Sequence, residues 1–211
     1  MNARKIKIAA SFAAAALVLS GCNAGNAETP TQHPSKETSA SPTKVPQSPT
    51  TTPSNTNEYK PASAAGPAEN VPIPKMPADA KEYSEEGAAA FTKYYFDLVN
   101  YSIETNDADP LKKVTTKDCI VCGVSIIDEA TEAKKVGKWQ VGGKHHPKIL
   151  DSYITGDKLA AVTVEYTADR AKIYLGANDL SAELDELEPT TVAIGVSFDQ
   201  RWQVYEIVGS E

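Results

Sequence analysis

Proline is concentrated in one stretch of this chain, since eleven of the 14 prolines lie in residues 23–77. The same residues hold 14 serines and threonines, and Tyr59 is their only aromatic side chain. A segment of this composition buries too little apolar surface to offset the entropy lost on ordering. We therefore predict an extended, solvated tether over residues 22–77 and one folded domain over residues 78–211. The Thr-Pro-Ser cluster within the tether is either an unmodified linker, which we favour, or an O-glycosylated stalk.

The segment before the tether is built like a secretory signal. Its start is basic, residues 8–19 are almost wholly apolar, and Ser20-Gly21 leads into Cys22. The pattern resembles the lipobox of bacterial lipoproteins, which implies removal of residues 1–21 and lipidation of the Cys22 thiol. An ordinary signal peptide and an uncleaved membrane anchor are the alternatives, but the apolar run is shorter than the roughly 18 residues that a span needs. We predict a protein anchored by lipid to the extracytoplasmic face of the cell membrane.

The charge of the chain is carried by the predicted domain. Residues 78–211 contain 24 acidic and 14 basic side chains, a net charge of −10. Such a domain is repelled by nucleic acids, anionic lipids and other polyanions. The sequence therefore argues against a nucleic-acid partner, and we expect the membrane to be contacted only through the lipid on Cys22.

The first part of the domain has helical periodicity. Ser84 is a predicted N-cap, and apolar residues then recur at three- and four-residue spacing as far as a helix end near Thr105. Asp109-Pro110 predicts a short second helix, with Asp as its cap and Pro in its first turn. A third helix is predicted to begin at Asp118.

After Gly137 the apolar period changes from helical spacing to alternation. Residues 149–155 and 158–166 flank Gly156-Asp157 and predict a hairpin with its turn at that dipeptide. Residues 191–198 and 201–208 predict a second hairpin, and residues 173–175 a short strand. The acidic stretch 178–189 is predicted to be an irregular excursion. Three helices followed by an antiparallel sheet indicate an α+β fold, with the helices packed on one curved sheet.

This order resembles the cone-shaped fold of nuclear-transport-factor-2-like domains. More narrowly, the chain resembles a family of actinobacterial lipoproteins that share a domain of unknown function. The matching residues are the run Phe91–Tyr101, the Asn106-Asp107 and Pro110-Leu111 steps, Cys119 to Cys122, Gly142-Gly143 and Trp202 to Val204. The resemblance implies a compartment and a fold. Because the wider fold carries isomerases, hydrolases and many non-enzymes, it implies no particular activity.

Cys119 and Cys122 have the spacing of a redox motif. A thioredoxin-like role needs that motif at a strand-to-helix junction, whereas here it lies among helices, so a structural disulfide is favoured in an exported protein. Zinc bound by these thiols with His145 and His146 is a weaker alternative, because adjacent histidines point apart. Calcium binding by the acidic residues of 179–188 is also disfavoured, since the stretch lacks the pattern of a calcium loop. We predict no cofactor and no metal.

The first helix would border the cavity of a cone-shaped fold. Tyr94, Tyr95, Tyr101 and Asp97 lie on it, and a Tyr–Asp pair can act as an oxyanion site or a general base, although aromatic residues at helical spacing are more often core. We predict that Asp97 lies near the helix surface. We predict that a small or filled cavity is lined by the core-spaced residues of the helix and sheet, namely Phe91, Tyr95, Val99, Val164, Ile194 and Val196.

These patterns favour a non-catalytic domain that binds an envelope protein or a small apolar ligand, with no catalytic residue assigned. The alternative is a small-molecule isomerase or hydrolase of the cone-shaped fold. The two hypotheses differ in the lining of the main cavity, which is apolar for a binding domain and rich in convergent titratable groups for an enzyme.

Overall fold

The computed structural model describes residues 58–209. The predicted signal peptide, Cys22 and most of the predicted tether lie outside these residues. Within them the secondary structure runs as follows: a 3-10 turn Asp79–Lys81, α1 Glu85–Thr105, α2 Asp109–Lys112, a π-helical segment Cys122–Asp128 that continues into α3 Glu129–Lys135, β1 Trp139–Gly142, β2 His145–Gly156, β3 Leu159–Ala168, β4 Ala171–Gly176, β5 Asp179–Leu184, β6 Leu187–Phe198 and β7 Trp202–Gly209.

The fold class is α+β, as predicted, but the strands form two antiparallel sheets where the sequence predicted one. The larger sheet has the order β2-β3-β6-β7, and the smaller has the order β1-β4-β5. The smaller sheet was missed for two reasons. β1 has only four residues, and β5 lies in the acidic stretch that was predicted to be irregular. Pairing with β4 makes β5 a strand, with Ala171 opposite Leu184 and Ile173 opposite Ala182.

Helix α1 begins and ends as its sequence predicts. The Ser84 hydroxyl accepts a hydrogen bond from the Gly87 amide at 2.9 Å, which satisfies one of the unpaired donors of the first turn. Asn106 ends the helix in the left-handed conformation, with φ of 55°. The buried face of α1 includes Phe91, Tyr95 and Leu98, which belong to the main hydrophobic core.

The larger sheet supplies the other side of this core. Val162 and Val164 of β3, Ile194 and Val196 of β6, and Trp202 of β7 are fully buried. The Trp202 indole donates a hydrogen bond to the Glu82 carbonyl at 2.8 Å, so this large side chain is satisfied as well as buried. Alternation along β3 and β6 therefore identified the core face of these strands correctly.

The β2–β3 hairpin is present, but its turn is one residue later than predicted. Gly156 still belongs to β2, and Lys158 adopts the positive φ of 59° that the turn requires. The second hairpin, β6–β7, pairs Phe198 with Trp202. The third helical region also differs in detail, because residues 120 and 121 are α-helical and the segment that follows them from Cys122 is π-helical.

The described structure includes residues that precede the predicted domain start at residue 78. Residues 58–77 form an N-terminal arm whose Lys60 and Glu69 pair in a short bridge. The arm is held by two hydrogen bonds. The Trp139 indole donates to the Ser63 carbonyl at 2.8 Å, and the backbone amide of Asn178 donates to the Ala64 carbonyl at 2.6 Å. Partners distant in sequence therefore hold this proline-rich arm against the domain.

None of the helices within residues 58–209 combines the length and the apolar character of a bilayer-spanning segment.

Candidate functional site

A half-open cavity of about 420 Å³ lies between the helices and the smaller sheet. Its helical wall is formed by residues of α1, the π-helical segment and α3, which are chiefly Val99, Ile103, Ile126, Ala130 and Ala133. Its strand wall is formed by Trp139, Ala171, Ile173, Leu184 and Leu187. The lining is mainly apolar, and the volume falls within the range of roughly 300–1,000 Å³ that is typical of small-molecule sites.

The smaller sheet positions the aromatic residue of this cavity. Trp139 stacks on Tyr174 of the neighbouring strand, with ring centroids 5.7 Å apart and planes inclined by 16°. Trp139 and Tyr174 are cross-strand partners in the β1–β4 register. Stacking and the hydrogen bond to Ser63 therefore hold the indole at the cavity wall.

His145, at the start of β2, also lines the cavity and is half-buried. Burial, and then the neighbouring charge of His146, lower the pKa of its imidazole below the ordinary value of 6.5. The other ionisable residues of the lining are Glu129, Lys138, Asp169 and Asp185, of which the three carboxylates are exposed.

The six residues predicted to line the cavity have separate locations. Phe91, Tyr95, Val164, Ile194 and Val196 are buried in the main core, and Val99 alone among the six lines the cavity described above. Burial raises the pKa of the Tyr95 hydroxyl, which has no hydrogen-bond partner within residues 58–209. The five core residues therefore pack the larger sheet against α1, away from the space that remains open.

Asp97 faces a different surface. It is exposed and borders a groove of about 510 Å³ between the N-terminal arm and α1. Partial burial raises the pKa of its carboxyl, and the positive charge of Lys144 opposes that shift. Within residues 58–209, Asp97 makes no hydrogen bond to a tyrosine hydroxyl, and Tyr101 instead donates to Asp107 at 3.2 Å. The alternative Tyr–Asp pair is therefore not assembled among the described residues, and Asp97 lies at the helix surface as predicted.

Cys119 and Cys122 form a disulfide, and both residues are buried. Cys119 lies between α2 and the π-helical segment, and Cys122 is the first residue of that segment, so the pair is not at the strand-to-helix junction of a thioredoxin-like site. The histidine pair belongs to β2, where His146 Nε2 lies 2.9 Å from Asp169 Oδ1. No group of three or more metal-ligating side chains is assembled in the region from residue 58 to 209.

Sequence reasoning missed most of the cavity lining. Leu180, Leu184 and Leu187 recur at three- and four-residue spacing, so periodicity did not mark this segment as strand. Trp139 could have indicated this wall from the sequence, because a large aromatic residue two positions after Gly137 is expected to be buried. Its partner across the strands, Tyr174, is 35 positions away, and only the fold brings them together.

Comparison with known proteins identifies a family but no activity. The profile of a family of unknown function, DUF6318, matches residues 57–206. A search of curated proteins returns no significant match. The matched residues include the N-terminal arm.

Several solved structures match this chain at low similarity. The intermembrane-space region of the chloroplast protein ARC6 is 13% identical, with a TM-score of 0.45, 61% of this chain covered and 99% of that one. A periplasmic fragment of TraM is 12% identical, with a TM-score of 0.38 and coverage of 62% and 99%. The association domain of C. elegans CaMKII is 12% identical, with a TM-score of 0.38 and coverage of 63% and 99%. These three similarities are weak. The family profile, in contrast, covers most of the chain, and the protein belongs to the family of unknown function DUF6318.

Proposed function

We propose that this protein is a lipid-anchored, extracytoplasmic lipoprotein whose domain binds a small apolar ligand in the cavity between α1, α3 and the smaller sheet. The observation that carries the proposal is the lining of that cavity, with Val99, Ile126, Trp139, Ile173 and Leu184 on facing walls. Burial of apolar surface at about 25 cal/mol per Å² is the main source of affinity in such a site.

The competing hypothesis is a small-molecule isomerase or hydrolase. Acid–base catalysis needs at least one positioned titratable group, and usually a second to complement it. His145 is available in the cavity, but Asp97 borders the other groove and the cysteines are joined to each other. This separation supports a binding domain over an enzyme.

The proposal includes the anchor and the architecture. The basic start, the apolar run and Ser20-Gly21-Cys22 support lipidation of Cys22 in an actinobacterial envelope. Helices followed by antiparallel strands, with α1 beside the cavity, support a cone-shaped domain of the nuclear-transport-factor-2-like type. The acidic domain argues for an uncharged ligand or an envelope protein as partner, and against a nucleic acid.

The ligand site is tested with 1-methylnaphthalene, an uncharged apolar probe, in a titration followed by calorimetry. We expect saturable binding by the unchanged protein and at least tenfold weaker binding by Ile173→Trp, whose larger side chain fills the cavity. Leu175→Trp is the matched control, because Leu175 lies two residues along the same strand, is exposed and is not part of the lining. Equal binding by both variants, or no binding by the unchanged protein, would contradict the proposed site.

The anchor is tested by Cys22→Ser in a host that lipidates exported proteins. Loss of the thiol removes the acceptor of the lipid, so we expect the protein to move from the membrane fraction to the soluble fraction. Retention of the Cys22→Ser protein in membranes would show that another part of the chain holds it there.

A further inference from the structure

The polar groups of the cavity indicate the class of its ligand. This inference rests on the binding function proposed above. His145 occupies the first position of β2, where the side chain of Asn100 on α1 holds its backbone on both sides. The His145 amide donates to Asn100 Oδ1 at 2.7 Å, and Asn100 Nδ2 donates to the His145 carbonyl at 2.9 Å. This two-point contact fixes the start of β2 against α1.

The ring of His145 is held by aromatic contacts alone. Its centroid lies 5.3 Å from the ring of Tyr166 and 6.4 Å from that of Phe96. Within residues 58–209 its nitrogens have no hydrogen-bond partner, whereas His146, on the opposite side of the strand, is engaged by Asp169. The cavity wall therefore carries one imidazole whose hydrogen-bonding capacity is free.

The charge state of that imidazole limits what it can bind. Burial and the adjacent His146 lower its pKa, so the ring is neutral at pH 7 and offers one donor nitrogen and one acceptor nitrogen. Such a ring pairs with a hydroxyl or a carbonyl group. It provides no positive charge for a carboxylate or a phosphate.

The other charges that face the cavity also disfavour an anion. Glu129 on α3, Asp169 after β3 and Asp185 after β5 outnumber Lys138, and the whole domain is acidic. The three carboxylates are exposed, so they provide no buried partner for a cation that would have to leave water to enter the apolar space. The lining therefore favours an uncharged ligand.

We propose that the ligand is an uncharged molecule with an apolar ring system or chain and one hydroxyl or carbonyl group, and that His145 hydrogen-bonds this group while the walls bury the rest. The ring contacts with Phe96 and Tyr166 hold the imidazole in place. Trp139 and Ile173 contact the apolar part of the ligand.

Three probes of similar shape test this assignment: 1-naphthol, 1-methylnaphthalene and 1-naphthoate. They differ only in the group on the ring, which is a hydroxyl, a methyl and a carboxylate. Because a neutral hydrogen bond contributes about 0.5–1.5 kcal/mol, we expect the unchanged protein to bind 1-naphthol roughly threefold to tenfold more tightly than 1-methylnaphthalene. We expect 1-naphthoate to bind at least tenfold more weakly than 1-naphthol.

Two substitutions at neighbouring positions assign the effect to one ring. His145→Phe keeps the aromatic contacts and removes the nitrogens, so 1-naphthol should lose its advantage while 1-methylnaphthalene binds as before. His146→Phe, on the exposed side of the same strand, should leave the advantage unchanged. An advantage that survives in His145→Phe, or equal binding of the hydroxyl and methyl probes by the unchanged protein, would overturn the role of His145. Failure of all three probes to bind would overturn the cavity function itself.

Discussion

Gly87 shows how a single residue depends on its surroundings more than on its own helix propensity. It lies in the first turn of α1, where alanine would normally be favoured over glycine by about 1 kcal/mol. A Cβ at this position would overlap the Glu82 carbonyl oxygen and lie 2.9 Å from the carbonyl carbon. The chain before α1 therefore passes too close to the helix for any side chain at this position.

Substitution of Gly87 by alanine should lower the stability of the protein, although alanine has the higher helix propensity. We expect Gly87→Ala to reduce the free energy of unfolding by about 1–3 kcal/mol, since backbone must move to make room. Gly123→Ala is the matched control in the π-helical segment, where no atom lies within 4 Å of the added Cβ, and it should be neutral or stabilise by up to about 1 kcal/mol. Urea denaturation of both variants checks the contrast, and equal effects would contradict it.

His145 should make stability depend on pH. Its pKa is lowered in the folded protein, so between the ordinary value of 6.5 and the folded pKa the unfolded chain binds more protons. Stability is therefore lost as the pH falls below about 6.5, and this contribution is constant above that value. We expect the free energy of unfolding to fall less between pH 7.5 and 5 in His145→Phe than in the unchanged protein. His146→Phe removes only the smaller cause of the lowered His145 pKa and should retain most of the pH dependence. Identical pH profiles for His145→Phe and the unchanged protein would refute the assignment.

At the scale of the element, the π-helical segment is joined at its first residue to a disulfide. Cys122 begins the segment, Cys119 lies one turn before it, and both side chains are in the main core. The Gly123 amide donates to the Cys119 carbonyl at 3.0 Å, which continues the turn across the disulfide. Burial of both sulfurs protects the bond from a reductant in solution.

The disulfide should therefore be inert in the folded protein and modest in its effect on stability. We expect no thiol labelling of the native protein, even with reductant, and labelling of both cysteines once the chain is unfolded and reduced. The loop it closes is very short, so the paired substitution Cys119→Ala with Cys122→Ala should cost about 1–2 kcal/mol, near the low end for disulfides. Quantitative labelling of both cysteines in the native, unreduced protein would contradict the pairing.

At the scale of the whole molecule, the N-terminal arm contacts both the helical part and the smaller sheet of the domain. It covers the Trp139 indole through Ser63, contacts the turn before β5 through Ala64, and places the Tyr59 hydroxyl 2.5 Å from Glu104 on α1. The same arm forms one wall of the groove that Asp97 borders. The arm thus links α1 to the smaller sheet.

Removal of this arm should destabilise the domain. We expect the free energy of unfolding to be about 1–3 kcal/mol lower for a chain beginning at Ala78 than for one beginning at Glu58, because each neutral hydrogen bond contributes about 1 kcal/mol. Tryptophan fluorescence should shift to longer wavelength as Trp139 becomes exposed. Tyr59→Phe, which removes one exposed hydrogen bond, is the control and should cost less than about 1 kcal/mol. Equal stability of the two chain lengths would show that the arm contributes nothing to stability, and would support the predicted domain start at residue 78.

The sequence alone determined the features that depend on near neighbours. Ser84, the three- and four-residue spacing and Asn106 determine the limits of α1, because capping and helical periodicity act within a few residues. Alternation in residues 158–166 and 191–198 identified core strands for the same reason, and the two cysteines of a predicted exported protein, placed among helices, predicted the disulfide pair.

Only the tertiary structure decided the features that depend on distant partners. β5 is a strand because β4 pairs with it, although its leucines have helical spacing. The arm is ordered because Trp139 and Asn178 supply hydrogen-bond donors to a proline-rich segment that has no core of its own. Phe91 and Tyr95 are core residues because α1 packs closely against the larger sheet. The cavity lies instead beside the smaller sheet, where Trp139, Ile173 and His145 line it. Such pairings are set by side-chain contacts between segments far apart in sequence, and no local pattern encodes them.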